Sequence, residues 1–327
     1  MTIPRRFAAS ALAWVLSVCS LGCITINLPS GQIEPLVETV VDGEGDAKVL
    51  ILEVDGVITE TSEVADFFGT VSEGMVSRLR EELDLARSDE QIKALVLRIN
   101  SPGGTVTGSD LLYDEIQLFK QQRKVPVVAQ LMGTAASGGY YVALAADEIR
   151  AQRTTVTGSI GVIFSAFNVA GLMQKIGVED QTITSGAFKD AGSILRRMRP
   201  EERAQLQSVI DDLYQRFVEV VQSGRKKLSA EQIRELADGR IFSATQALER
   251  GLVDEISSLD DSLRKARELA GLRSARVITY HRPREYANNY YTRSPRHRDA
   301  LLDLWPDGLP VQGPAFLYLW APGLGLP

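Results

Sequence analysis

The stretch Val125-Pro-Val-Val-Ala-Gln-Leu-Met-Gly-Thr-Ala-Ala-Ser-Gly-Gly-Tyr-Tyr141 joins an uninterrupted apolar run, Val125 to Leu131, to a turn of small residues around Ser137. A short apolar run closed by turn residues reads as a strand buried on both faces. Val49-Leu-Ile-Leu-Glu-Val-Asp-Gly56 and Ala94-Leu-Val-Leu-Arg-Ile99 are of the same kind. Between these runs the apolar period changes from that of a strand to that of a helix. Val76, Leu79, Leu83 and Leu85 mark one helix within residues 75–86, and Leu112, Ile116 and Phe119 another within 111–119. Strand, helix, strand, helix implies right-handed crossover units on a largely parallel sheet, an α/β fold.

Outward from this centre, Pro200-Glu-Glu opens a long helix with a proline and acids in its first turn, and Leu206, Val209, Leu213, Phe217 and Val220 form its apolar stripe. That stripe reads as core or as a subunit interface. Ser229 caps a shorter helix, residues 244–250 form another that stops at Gly251, and the last helix ends near Gly271. From about Arg276 the chain turns to Arg, Pro, Asn and Tyr and closes on Phe-Leu-Tyr-Leu-Trp-Ala-Pro. Residues 276–327 therefore read as a C-terminal tail, an appendage to a single catalytic domain at 48–275. Residues 29–47, with Pro29, Gly31, Pro35, Gly43 and Gly45, read as a tether, because such composition buries little.

The N-terminus is read apart from the fold. Arg5 and Arg6 precede a run without charge from Phe7 to Leu28, the pattern of a secretion signal or a membrane anchor. Two readings stand side by side. Leu21-Gly22-Cys23 resembles the end of a bacterial lipobox, which would make Cys23 the lipid attachment site, although Ser20 stands where that pattern prefers Leu. The uncharged run is also about long enough, at roughly 20 residues, to span a bilayer as a helix. Either one puts the body at a membrane, outside the cytoplasm.

Composition narrows the chemistry. A formal net charge of −6 without an extended basic block gives no footprint for nucleic acid. The only histidines, His281 and His297, lie in the Pro- and Arg-containing C-terminal stretch, outside the segments that read as packed, which argues against a Ser-His-Asp triad. The only cysteines, Cys19 and Cys23, fall in the N-terminal apolar run. The body thus has no disulfide framework and no thiolate nucleophile, and no metal or cofactor is called for.

Three glycine-rich junctions follow apolar strands, where α/β folds place their sites. Asn100-Ser-Pro-Gly-Gly104 can turn with its backbone N–H groups exposed to an anion. In Thr134-Ala-Ala-Ser-Gly-Gly-Tyr140 a serine stands at a strand-to-helix turn among small residues, so Ser137 Oγ and the Gly138 N–H can address one spot. Thr157-Gly-Ser-Ile-Gly161 adds a further small hydroxyl. Any one of these alone is more often just a turn. A serine nucleophile needs a base, and without histidine the candidates are Lys, Asp and Glu. A lysine serves if desolvation lowers its pKa, and a fall from about 10.4 to near 8 disfavours the ammonium by roughly 3 kcal/mol. Lys189, within Ser185-Gly-Ala-Phe-Lys-Asp-Ala-Gly192, is a candidate by its small and apolar surroundings, set against the commoner solvated surface lysine.

In order along the chain, Asn100-Ser-Pro-Gly-Gly, Ala136-Ser-Gly-Gly-Tyr-Tyr, Thr157-Gly-Ser-Ile-Gly-Val, Ser185-Gly-Ala-Phe-Lys-Asp and Gly239-Arg-Ile-Phe with Ala247 and Gly251-Leu-Val-Asp resemble the signal peptide peptidase A family, the Ser/Lys peptidases of family S49. The resemblance covers residues 48 to 270 or so. It implies a ClpP/crotonase-like spiral of ββα units. It also implies Ser137 as nucleophile, Lys189 as general base, Ser159 as the hydroxyl that orients the lysine, and the N–H groups of Gly104 and Gly138 as an oxyanion hole. The implied substrates are remnant signal peptides and other unfolded apolar segments at a membrane. The implied assembly is a ring-shaped homo-oligomer in which one protomer's lysine can complete its neighbour's site. Two other readings carry over from the fold: a crotonase-type acyl-CoA enzyme, against which an exported chain with a Ser/Lys pair argues, and a non-catalytic membrane scaffold ring.

Overall fold

The computed structural model describes residues 34–60, 63–64, 71–283, 288–292 and 315–320. In chain order these form β1 (Val37–Asp42), β2 (Lys48–Asp55), β3 (Glu63–Val64), β4 (Val71–Ser72), α1 (Met75–Ser88), β5 (Ile92–Ser101), β6 (Gly103–Thr105), α2 (Val106–Arg123), β7 (Val127–Ala136), α3 (Gly138–Ala143), β8 (Glu148–Ala151), β9 (Val156–Gly158) and β10 (Ile163–Ser165). There follow α4 (Ala170–Ile176), α5 (Pro200–Gly224), α6 (Ala230–Leu236), β11 (Ile241–Ser243), α7 (Ala244–Glu249), β12 (Glu255–Ile256), α8 (Leu259–Leu269), β13 (Arg276–His281) and β14 (Ala315–Leu319).

The main sheet runs β1-β13-β2-β5-β7-β8-β12, and every pairing from β13 to β12 is parallel. Its strands are buried on both faces, as their unbroken apolar runs require. Leu50, Leu52, Leu95, Leu97, Val127 and Ala129 face the larger core, against Leu79 and Leu83 of α1 and Ile116 and Phe119 of α2. Their alternating neighbours Val49, Ile51, Val96 and Val128 face the other way, onto Leu259, Leu263 and Ala266 of α8. The period of two along each strand thus sorts one sequence into two cores. Helices α6, α7 and α8 each begin at a serine cap, Ser229, Ser243 and Ser258, reciprocated by Gln232, Gln246 and Asp261. Each such cap stabilises its helix by about 1 kcal/mol.

Strand β7 forks. Val128–Leu131 pair with β8, and beyond them Thr134–Ala136 pair with β9, which in turn pairs antiparallel with β11. On the other side Ser101, at the end of β5, pairs with Ala135. The Asn100–Gly104 turn, the Ser137 turn and the Thr157–Gly161 turn therefore meet at one end of the sheet.

Three expectations change. Residues 29–47 are not a tether throughout: Val37–Asp42 form β1, paired antiparallel with β13, and only the part before residue 34 lies outside the described residues. The partner strand β13 lies beyond residue 275, in the stretch read as tail, and sits between β1 and β2. Its alternation, Val277, Ile278 and Tyr280 among polar residues, was masked by the flanking arginines. His281 ends that strand and is buried, hydrogen-bonded to Thr39 Oγ1 at 2.7 Å and to the Arg282 carbonyl at 2.8 Å, a packed residue rather than one of a loose stretch. The terminal apolar segment is not an appendage either, since β14 lies between β6 and β10 in a second sheet.

Candidate active site

Ser137 is the hinge between β7 and α3 and has φ 52° and ψ −117°, a backbone conformation that side-chain-bearing residues seldom adopt. Such a conformation stores on the order of 1–3 kcal/mol and persists only where the surroundings over-determine it. Here they do. The Ser137 N–H donates to the Gly158 carbonyl at 2.7 Å, its own carbonyl accepts from Tyr141 N–H at 2.9 Å, and the residue is 1% exposed. Only three non-glycine residues have positive φ among those described: Ser137, Ser159 and Lys124. Lys124 is a left-handed helix cap, an ordinary place for it. The other two are the serines that the sequence singles out.

The two glycines of the Asn100–Gly104 turn are there because nothing larger fits. Gly103 has φ +103°, and a Cβ on it would come within 2.7 Å of the Gly138 nitrogen. A Cβ on Gly104 would overlap the Ile58 carbonyl and lie 2.6 Å from the Ile58 nitrogen. Ile58 bridges this turn, donating to the Gly103 carbonyl at 2.9 Å and accepting from Thr105 N–H at 3.0 Å. The N–H and carbonyl of Gly104 itself consequently face away from Ile58. Asn100 ties the turn down, donating to Asp55 at 2.8 Å and accepting from Thr134 N–H at 3.2 Å. The arrangement brings Ser137, Gly138 and Gly104 together, with the backbone N–H groups unshielded by side chains.

Ser159 is 8% exposed and has φ 50°; its N–H donates to the Arg240 carbonyl at 2.8 Å, while Thr157 Oγ1 pins the same segment to the Ala135 carbonyl at 2.6 Å. Lys189 stands apart. It is exposed, on a loop ahead of α5, and among the described residues no hydrogen bond joins it to Ser137 or Ser159. An ion-pair cluster that the sequence reading missed holds this loop. Arg196 grips Asp190 at 2.6 and 2.7 Å and reaches Glu202 at 2.9 Å; Glu202 also accepts from the Arg199 N–H at 2.9 Å. The Arg196 hydrogen bonds hold the Glu202 carboxyl down to about 2, and they hold Asp190 below its ordinary range as well. The signal was present as acids and arginines at three- and six-residue spacing around Pro200, but such runs usually mark a solvated face.

Cys23 and His297 lie outside the described residues. Among the described residues no group of three or more His, Cys, Asp or Glu is placed to hold a metal, and no helix is long and apolar enough to cross a membrane.

A family model for "Peptidase family S49" matches residues 119–273, and one for "Clp protease" matches residues 62–159. The Enterococcus faecium protein "Putative signal peptide peptidase SppA" is 37% identical over 255 residues, which cover 76% of this chain and 72% of that one. "Serine protease SPPA, chloroplastic" of Arabidopsis thaliana is 34% identical over 206 residues, covering 63% of this chain but only 30% of the longer plant protein. Among solved structures, a mutant of ClpP1 from Listeria monocytogenes aligns with a TM-score of 0.43 and 19% identity over 65% of this chain and 94% of that one. At such a score the alignment carries no argument, and the identity over most of a bacterial relative's length carries it instead: this chain belongs to peptidase family S49, with the SppA-like membrane proteases.

Proposed function

We propose that this protein is a membrane-tethered serine endopeptidase that cleaves remnant signal peptides and other unfolded apolar peptides through a Ser137/Lys189 dyad. The observation that carries the reading is the conformation of Ser137. A buried serine held at φ 52° between a strand end and a helix start, beside the glycine turn at 103–104, has few structural reasons to exist. In this reading neutral Lys189 takes the Ser137 proton and the alkoxide attacks a peptide carbonyl. The N–H groups of Gly104 and Gly138 hold the oxyanion, and the protonated lysine gives its proton to the leaving amine. Water then hydrolyses the ester. Ser159 orients the lysine.

The exposure of Lys189 supports a site completed between copies of the chain in a ring-shaped homo-oligomer. Phe167, Leu172, Ile176, Ile183 and Phe188 are all more than half exposed along the same segment, an apolar surface out of keeping with a solvated loop. The uncharged run at 7–28 supports the membrane tether, by a lipid on Cys23 or by a helix, with the catalytic domain outside the cytoplasm. Peptidase assays of wild type beside Ser137→Ala and Lys189→Ala test the dyad: both variants should stay folded and lose cleavage of an apolar signal-like peptide. Cleavage by either variant at the wild-type rate overturns the assignment.

A further inference from the structure

Strand β14 is the middle strand of its sheet, with Leu317 opposite Ile163 of β10 on one side and Tyr318 opposite Gly104 of β6 on the other. The strands β6 and β10 do not pair with each other. What joins them is a five-residue segment, Ala315–Leu319, laid antiparallel along β6. An extended peptide that adds itself to a sheet edge through main-chain bonds is a general mode of peptide recognition, with alternate side chains entering pockets.

The register of that segment is informative. The Trp320 N–H donates to the Pro102 carbonyl at 2.8 Å. Hydrogen-bonded pairs recur every second residue in an antiparallel ladder, so the Gly104/Tyr318 pair is of the same kind, with the Gly104 N–H facing the Tyr318 carbonyl. The same oxygen would be 3.1 Å from a Cβ built on Gly138 and would collide with one on Gly103. The Tyr318 carbonyl therefore sits among Gly103, Gly104 and Gly138, the corner that the proposed mechanism reserves for the oxyanion, next to Ser137.

The Tyr318 side chain is fully buried. Its ring stacks on Tyr141 at 5.3 Å between centroids and meets Phe217 at 4.7 Å, and its hydroxyl donates to the Leu213 carbonyl at 2.7 Å. Burial raises the phenol pKa, so the hydroxyl remains a donor at any working pH. Leu317 and Leu319, on the other face, are buried as well, while Phe316 lies against Phe164 at 5.0 Å.

We propose that the slot between β6 and β10 receives the substrate strand, that Ala315–Leu319 occupies it as a built-in substrate mimic, and that the Tyr141–Phe217–Leu213 pocket selects an aromatic side chain, tyrosine first, on the residue whose carbonyl Ser137 attacks. The inference rests on the Ser137 reading above and adds the side-chain preference to it. Cleavage of the mimic itself follows the same chemistry. Ser137 Oγ bonds to the Tyr318 carbonyl carbon, the bond to the Leu319 nitrogen breaks, and that nitrogen takes the proton from the lysine. Water then releases the ester as a carboxylate ending at Tyr318, and the segment Leu319–Pro327 leaves with a free amine.

Full-length protein should be assayed on apolar peptides identical but for one residue, Tyr, Phe, Leu or Ala, with the cleaved bond identified by mass. Cleavage after Tyr is expected, with kcat/KM falling in the order Tyr, Phe, Leu, Ala and at least about tenfold between the ends, because a site that pairs a buried hydroxyl discriminates against analogues lacking it. Tyr318→Ala should raise kcat/KM on the Tyr peptide several-fold by vacating the slot. If that variant folds poorly, Tyr318→Phe keeps the ring and should give a smaller rise in the same direction. Incubated wild-type chain should lose Leu319–Pro327, and Ser137→Ala should not. Peptide cleavage that depends on Ser137 but shows no aromatic preference, with no gain in either Tyr318 variant, overturns this inference and leaves the dyad standing. Cleavage by Ser137→Ala at the wild-type rate removes both.

Discussion

Ser137 is held by the core: three strand ends converge on it, its backbone is pinned by the Gly158 carbonyl and by the start of α3, and almost none of it meets solvent. Lys189 is held by charge: it stands exposed on a loop whose fixed points are Asp190, Arg196, Arg199 and Glu202. The two halves of one proposed site thus differ in what stabilises them. Packing keeps the nucleophile in a conformation it would otherwise leave, and such geometry is insensitive to salt and pH. Ion pairs half open to water are screened and can be titrated, so the lysine's position depends on conditions and on whatever covers it.

The comparison is broken or sharpened first by removing each reacting group. Ser137→Ala and Lys189→Ala should each reduce kcat by at least about a thousandfold. Thermal unfolding should distinguish them from structural damage: Lys189→Ala, at an exposed position, should shift stability by no more than about 0.5 kcal/mol. Gly104→Ala should do the reverse of a clean deletion. With the Ile58 backbone in the way of a Cβ, it should cost about 1–3 kcal/mol of stability, read from denaturant midpoints, together with most of the activity.

On the loop side the effects should be smaller and visible in rate rather than in stability. Arg196→Ala frees Asp190 and Glu202 together, and we expect kcat to fall by roughly tenfold, in keeping with a misplacement of the catalytic group, with the melting temperature nearly unchanged. The acid limb offers a finer version. A carboxyl whose folded pKa is depressed contributes stability that is fully present above its unfolded value and is lost as pH falls through the folded one. For Glu202 that window runs from the ordinary glutamate range down to about 2. Glu202→Gln should therefore be destabilised relative to wild type at neutral pH and converge with it as the pH approaches 2. A gap that stays constant with pH would show that the carboxylate is not what anchors the loop. The smallest effect belongs to the packed half. Tyr140→Phe removes a buried hydroxyl's bond to the Leu252 carbonyl at 2.7 Å and should cost about 1 kcal/mol with little change in rate.

Much of the packed half was legible in the sequence because it rests on local rules. The runs at 49–56, 94–99 and 125–131 could only be doubly buried strands, and small residues around Ser137 could only be a turn. What escaped notice depends on partners far along the chain. β1 looks like a tether until β13 lies beside it, and β13 looks like tail because Arg276 and Arg282 flank its apolar residues. The segment Phe316-Leu-Tyr-Leu-Trp320 was visibly apolar, yet nothing local could say that its place is between β6 and β10. The ion-pair cluster was hidden for the opposite reason, since arginines and acids near a helix start are what any solvated helix shows. The Ser137 and Lys189 motifs were both legible as residues. That one would be buried and the other exposed was not, because exposure belongs to the packed chain.

The contrast between a buried serine and an exposed lysine leads to one direct test. Ser137→Ala and Lys189→Ala chains, each inactive alone, should be co-expressed with different tags and purified through both, so that every oligomer contains both kinds of subunit. If the lysine serves a neighbouring serine, these mixed assemblies should recover a measurable fraction of wild-type peptidase activity, on the order of a quarter or less for random mixing of two subunit types. Mixed assemblies that form fully and remain as inactive as either parent would contradict a site shared between copies.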